Sequence, residues 1–368
     1  MTTIDPEIAF VFVLLLLSIA MSTTSSLSLY TRIVHHSPTS STTTSEEPAK
    51  DRTPPWTVLV HGLDSSSATW KSTMEQLGSF TSVLAYDQRG SGYSPLGTIQ
   101  DFSQDALVED LDQLLRQHQI GSKTKKIVLV GHSLGGRIAL GYASKYPEKI
   151  ASLVIEDMDI AARDPNVHGI VRLVQPPPYQ GSFQRQRNTK EEVVQALVQA
   201  GYPLSGYIDK ALNNGRIEPT PPNLFNNETI DNNNNNIDNH GDASTTWWSH
   251  INPDFRTLCY KHVLGTTQGQ KDCIELRRYF DENNNNNNNY DKNAQHTAAA
   301  TELLFPCHVF VAGSEGTVCI EESLQDMQRI LGNSHLTIHR FPNAGHSIHS
   351  TAPSEYLETL KSIIVGCC

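Results

Sequence analysis

Between Lys126 and Arg137 the chain reads KIVLVGHSLGGR. Its first part, Lys126 to Val130, is a short apolar run rich in β-branched residues, the pattern of a parallel strand buried on both faces. The stretch from Leu134 to Lys145 reads as a helix that stops before Pro147. A strand that passes into a helix through Gly131-His132-Ser133-Leu134-Gly135 must turn sharply at the serine, which strains its backbone and requires small residues at 131 and 135. The strain lifts the Ser133 hydroxyl into the open. The helix N-terminus then aims backbone N–H groups and a positive dipole end at any oxyanion forming beside it. A bare G-x-S-x-G is common by chance, but here a strand and a helix flank it in the required order. Ser133 is the candidate nucleophile, with Gly131 and Gly135 framing the elbow.

Strand and helix signals alternate outward from this point. Trp56 to Val60 (WTVLV) predicts a strand ending at His61-Gly62, Ala68 to Phe80 a helix, and Val83 to Tyr86 a strand ending at Asp87. Asp101 to Gln119 places Leu107, Leu111 and Leu114 on one helical face, with Gly121 beyond as a stop. Leu153 to Ile155 is a further strand, ending in Glu156-Asp157. From Asp159 to about Phe305 the alternation breaks. This region holds a Pro176-Pro177-Pro178 run, a helix opened by the capping box of Thr189 and Glu192, and Trp247-Trp248 between two Asn tracts. It reads as an inserted, mostly helical cap over 159–305 with Asn-rich disordered loops. The alternation resumes with a strand at His308 to Ala312, a helix at Ile320 to Leu331, a strand at Leu336 to Phe341 and a helix at Ser354 to Ile364. The fold class is α/β: a mostly parallel central sheet flanked by helices, built from 27–158 and 306–365, with Leu27 to His36 as a first strand and a Ser/Thr-rich linker around 37–53.

Of 368 residues, 28 are Lys or Arg and 39 are Asp or Glu, a net charge of -11 that disfavours a nucleic-acid surface. Only 38% are apolar, because the Asn tracts and the Ser/Thr linker dilute an ordinary core. Ile8 to Ala20 (IAFVFVLLLLSIA) has the length of a signal-peptide core and is short of the roughly 20 residues a membrane span needs. Residues 1–21 are thus expected to be a signal peptide cleaved after Ala20, with an uncleaved anchor as the alternative, since Asp5 and Glu7 stand where basic residues belong. The expected location is the secretory pathway or a membrane attached through residues 8–21. The Ser/Thr-rich stretch at 22–45 also leaves organelle targeting open. None of the six cysteines has zinc-site spacing, so no metal is expected; Cys259 and Cys273 are the easiest disulfide pair, and free buried thiols are the other reading.

A serine hydroxyl needs a base. Fifteen histidines make composition useless for choosing it, and position decides. His346 follows the last strand in Phe341-Pro342-Asn343-Ala344-Gly345-His346, a loop that hangs over the sheet edge where Ser133 emerges. His349 is its neighbour, while His61, His132 and His335 read as packing or surface histidines. The acid that orients the imidazole is either Glu315, the lone acid of the loop 312–318, or Asp157 at the strand end beside Ser133. Asp157 is placed first because a short carboxylate leaving a strand terminus is held more rigidly. The oxyanion hole takes its amides from Leu134, which follows the nucleophile, and from Leu63 in His61-Gly62-Leu63-Asp64.

The HG-L loop at 61–63, Asp87-Gln88-Arg89-Gly90-Ser91-Gly92-Tyr93-Ser94, the GHSLGGR elbow and the terminal Gly345-His346 stand in the order of the α/β-hydrolase superfamily, which the chain resembles over about 27–365. The early SLYTRIV strand, Ser94-Pro95 and the Asp-less AGSEGTV stretch resemble esterases of the alpha/beta-hydrolase-domain-containing protein 11 type. That resemblance implies an α/β-hydrolase fold and an acid at the strand-end Asp, which falls on Asp157, 24 residues after Ser133. It implies a serine hydrolase cleaving a small or medium acyl ester, lipids included, through an acyl-enzyme with no cofactor. Thioesterase or peptidase action would use the same residues. A ligand-binding receptor built on the same fold is the alternative of a different class.

Overall fold

The computed structural model describes residues 27–36, 54–98, 100, 102–164, 183–221, 246–288, 304–313 and 316–368. The apolar leader, the Ser/Thr-rich linker, the first Asn tract and Glu315 lie outside the described residues. Ten strands are present among those described: β1 Thr31–Val34, β2 Thr57–Val60, β3 Val83–Tyr86, β4 Ile127–His132, β5 Ile150–Glu156, β6 Gln186–Arg187, β7 Ile217–Pro219, β8 Trp247–Ser249, β9 Cys307–Ala312 and β10 Leu336–Phe341. Seven of them form one sheet in the order β1-β3-β2-β4-β5-β9-β10. β1 joins antiparallel at the edge beside β3, and the remaining neighbours are parallel.

Period two decides which layer each residue enters. Val58, Val60, Ile127, Leu129, Leu153 and Ile155 pack into one hydrophobic layer; Leu59, Val128, Val130 and Val154, their chain neighbours, pack into the other. The first layer lies under the helices Gln104–Gln117, Leu134–Lys145, Gln268–Asn288 and Glu321–Leu331, the second under Lys71–Gly78 and Pro353–Gly366. A strand covered on both faces has no use for polar alternation, which is why β2 from Val58 on and the start of β4 are unbroken apolar runs. The helix at 104–117 buries Leu107, Leu111 and Leu114 on its predicted stripe, and Ser103 caps it by accepting from the Ala106 amide at 3.1 Å. Burying each leucine contributes about 1.5–3 kcal/mol.

The segment between β5 and β9 departs from the helical expectation. Residues 183–221 and 246–251 carry a three-stranded antiparallel sheet, β6-β8-β7, as well as helices. Strands of two or three residues are too short for an alternating pattern to register in sequence. The expected capping box does start a helix, Lys190–Gln199, with the Thr189 hydroxyl accepting from the Glu192 amide at 3.2 Å. Val193, Leu197, Tyr202, Ile208, Ala211, Ile217 and Ile251 give this unit a small core of its own. The second Asn tract was expected to be a loop, yet through Asn288 it continues the helix that begins at Gln268. The apolar anchorage of Leu276 and Phe280 one turn and more upstream outweighs the low helix preference of asparagine. All six cysteines are free thiols, so Cys259 and Cys273 are not bridged. Among the described residues no helix is long and apolar enough to cross a membrane.

Candidate active site

β4 delivers Ser133 to the C-terminal edge of the sheet, and the helix from Leu134 starts immediately beyond it. Ser133 has φ 53° and ψ -122°, a left-handed conformation that a side chain adopts only under constraint from its surroundings. Its amide donates to the Glu156 carbonyl at 2.8 Å, and its carbonyl accepts from the Gly136 amide at 2.8 Å. The flanking glycines allow no alternative: a Cβ on Gly131 would run into the Gly135 carbonyl, and one on Gly135 into those of Val60 and His61. Leu134 opens the helix, so its N–H has no acceptor within the helix and faces outward at the positive dipole end.

Asp157 stands one residue past β5, whose Glu156 is in register with His132 on the neighbouring strand. Its φ of 46° turns the carboxylate off the strand end. The carboxylate is fully buried and accepts from His346 Nδ1 at 2.7 Å, the Thr317 hydroxyl at 2.6 Å, and the amides of Ala312 and Val318, each at 3.0 Å. Burial pushes its pKa up, but the hydrogen bond and charge of His346, with those of Thr317 and Ala312, outweigh burial and hold it below the ordinary carboxylate value. The loop bearing His346 is fixed twice. The Gly313 amide donates to the Ala344 carbonyl at 2.9 Å, and His132 Nε2 lies 3.1 Å from the His346 carbonyl. Burial, opposed in part by Glu156, pushes the pKa of His132 down to about 3, so its ring is neutral. A carbonyl can only accept, hence the proton of His132 sits on Nε2 and docks the His346 loop onto the residue next to Ser133.

The other wall is the loop after β2. The His61 ring bridges the Gly62 carbonyl, 2.7 Å from Nδ1, and the Gln88 amide, which donates to Nε2 at 3.0 Å. Leu63 lines a narrow cavity with Ser133, Met158, Arg163, Tyr260, Leu264 and Val318, with room for about one water molecule. Asp64, buried and at φ 54°, is gripped by the inserted segment: its carboxylate accepts from Tyr202 at 3.1 Å, from Tyr207 at 2.7 Å and from Arg256, while Arg216 donates to its carbonyl at 2.9 Å. The cap therefore fixes the backbone of the residue that follows Leu63.

The model of the alpha/beta hydrolase fold matches residues 55–353. The chain belongs to this family. Over 100 residues it is 35% identical to the abhydrolase domain-containing protein abhd-5.2 of Caenorhabditis elegans, covering 27% of this chain and 22% of that protein. Over 119 residues it is 33% identical to the sn-1-specific diacylglycerol lipase ABHD11 of Danio rerio, covering 31% and 36%. The matched segments thus span well under half the length of these relatives. Among solved structures, a marine microorganism esterase superposes with a TM-score of 0.55 at 16% identity, over 92% of this chain and 100% of its own. E-2-(acetamidomethylene)succinate hydrolase does so with a TM-score of 0.55 at 17% identity, over 92% and 96%. These two share the hydrolase family's fold.

Of the residues singled out in the sequence, Asp157 and His346 are hydrogen-bonded, and Leu63 and Ser133 line one cavity. Glu315 lies outside the described residues. Three arrangements were not foreseen. His132 and His349, read as a packing residue and a neighbour, both belong to a buried network: His349 donates its amide and Nδ1 to Glu156, at 3.0 and 2.8 Å, and meets Thr69 Oγ1 through Nε2 at 2.9 Å. Asp64 shows in the sequence only as the end of the loop from His61. Arg163 carries a single sequence signal, its place four residues after Asp159.

Proposed function

We propose that the protein is a serine hydrolase that cleaves carboxylic esters through Ser133, His346 and Asp157, with the amides of Leu63 and Leu134 as the oxyanion hole. The observation that carries this reading is the 2.7 Å contact between His346 Nδ1 and the Asp157 carboxylate on a sheet edge shared with the strained Ser133. The Asp157 bond places the imidazole proton on Nδ1 and leaves Nε2 as the base. His346 Nε2 takes the Ser133 proton as Oγ attacks the ester carbonyl, and Asp157 stabilises the imidazolium that forms. The two amides stabilise the tetrahedral oxyanion without moving, because one is fixed by the helix start and the other by the Asp64 clamp. His346 then protonates the departing alcohol. Water, deprotonated by the same nitrogen, releases the acid and restores Ser133. The apolar lining from Leu63, Met158, Leu264 and Val318 favours an acyl or alkyl group over a peptide. The likeness to a protein named as a diacylglycerol lipase supports an ester, and a lipid ester is the substrate class to try first.

The test is hydrolysis of p-nitrophenyl butyrate by wild type and Ser133→Ala, followed at saturating ester. Turnover in the wild type that falls by at least about a thousandfold in the variant supports the proposal. Equal rates in the two proteins would reject it.

A further inference from the structure

The cavity beside Ser133 is lined mainly by apolar side chains, with Tyr260 and one cation, Arg163, among them. Arg163 is 4% exposed, and its backbone amide donates to the Leu264 carbonyl at 2.7 Å. Its Nη2 donates to Asp159 at 2.8 Å and to the Val318 carbonyl at 3.0 Å, whereas Nη1 is buried and has no hydrogen-bond partner among the described residues. The arginine is held rigidly as well. Asp159 also accepts from the amides of Ala161 and Ile320, and Arg137 from the elbow helix ties down the Ile160 and Ala161 carbonyls at 3.1 and 2.7 Å. A buried guanidinium N–H with nothing to donate to is costly in a folded protein, and because Arg163 lines the cavity beside Ser133, an acceptor entering there can satisfy it.

Charge narrows the ligand. Asp159 already cancels Arg163, and the Asp157 carboxylate stands two residues away on the same strand end. A carboxylate brought here would be a buried charge without a counterion, so a neutral oxygen fits better. The size of the cavity sets that oxygen close to the scissile carbonyl. We propose that Arg163 Nη1 forms a polar subsite beside Ser133, selecting esters that carry a second, neutral oxygen acceptor (a keto, ester carbonyl or hydroxyl oxygen) near the bond that is cleaved. The inference rests on Ser133 being the nucleophile. It adds a specificity role for a residue outside the triad and oxyanion hole.

The experiment compares matched esters on wild-type protein. On the acyl side these are p-nitrophenyl levulinate against valerate; on the alcohol side, butyrate esters of hydroxybutanone against butanol; the p-nitrophenyl half-ester of succinate is the anionic probe. One hydrogen bond to a charged donor corresponds to about 10- to 100-fold in kcat/KM. The expected result is a preference of that size for the keto ester on at least one side, with the succinate half-ester slower than valerate. In Arg163→Lys, which keeps a cation for Asp159 but has no second nitrogen to offer, the keto-to-plain ratio falls towards one. Equal rates for keto and plain esters on both sides, a preference that survives in Arg163→Lys, or a faster succinate half-ester would each overturn the subsite. The wild-type comparison decides the matter even where the variant does not fold. If instead no ester is turned over and Ser133 resists a fluorophosphonate, the esterase reading itself has failed and the subsite goes with it.

Discussion

Replacing Asp157 by Asn removes one charge from the centre of the site while keeping nearly the same shape. The carboxylate accepts from Thr317, Ala312 and, more weakly, the Cys319 thiol on one oxygen, and from His346 and Val318 on the other. An amide oxygen can keep Thr317 and Ala312, but the NH2 group then faces the Val318 amide and His346 Nδ1, donor against donor. His346 escapes the conflict by moving its proton to Nε2, the nitrogen that in the proposed mechanism accepts from Ser133. The electrostatic loss can be sized from the 2.7 Å separation. At an effective dielectric constant of about 20, two unit charges at that distance attract by about 6 kcal/mol, and the imidazolium exists only after proton transfer. Nearly all of that term therefore acts on the barrier, which corresponds to roughly a ten-thousandfold drop in kcat. The assay is turnover of a p-nitrophenyl ester at mildly alkaline pH by wild type, Asp157→Asn and Glu315→Gln, with circular dichroism to establish that each is folded. A folded Asp157→Asn that keeps more than about a tenth of wild-type kcat would refute the reasoning, and a collapse in Glu315→Gln instead would move the acid to the later loop.

Tyr207→Phe deletes one donor to Asp64 and leaves Arg256 and Tyr202 in place. Stability should fall by about 1–3 kcal/mol, and kcat should fall several-fold more than KM changes, because the clamp positions the Leu63 amide. An unchanged kcat beside a lowered melting temperature would reduce the clamp to packing. Gly135→Ala places a methyl against the Val60 and His61 carbonyls, and the protein should lose at least about 1–3 kcal/mol, visible as a lower thermal midpoint; wild-type melting would contradict the elbow geometry. Acid should destabilise the fold through His132. Its folded pKa of about 3 lies below the ordinary 6.5, so between those values the unfolded chain binds a proton that the folded one refuses, and stability rises with pH across that window. Glu156 and Asp157, both held below their ordinary values, add a loss of stability only below about 4.5. Urea midpoints from about pH 6.5 down to 4.5 should therefore fall in the wild type and stay flatter in His132→Asn; parallel slopes would argue against a neutral buried His132.

The elbow was legible because several independent signals fall on the same residues. An apolar strand, a paired-glycine turn and a helix all have to agree at Ser133, and each is local in sequence. His346 and Asp157 were legible by position, since a parallel sheet puts the residues that follow its strands along one edge. The Asp64 clamp was invisible for the opposite reason: its donors lie 138 to 192 residues downstream, and no periodicity ties them to the loop. Glu156 and Asp157 stand side by side at one strand end in the sequence, and since both are fully buried only their partners, His349 for Glu156 and His346 for Asp157, set them apart. The small cap sheet escaped because Gln186–Arg187 and Ile217–Pro219 are shorter than any alternation that could be counted. The helical end of the second Asn tract escaped because the evidence for it, the buried face of Leu276 and Phe280, lies upstream of the asparagines.

The central claim is that Ser133 is an activated nucleophile. Treating the folded protein with a fluorophosphonate and locating the adduct by peptide mass spectrometry tests it most directly. The account predicts a single adduct on the peptide containing Ser133, lost in Ser133→Ala and formed far more slowly in Asp157→Asn. Labelling that persists in folded Ser133→Ala, or a wild-type protein that the probe leaves unmodified, would contradict it.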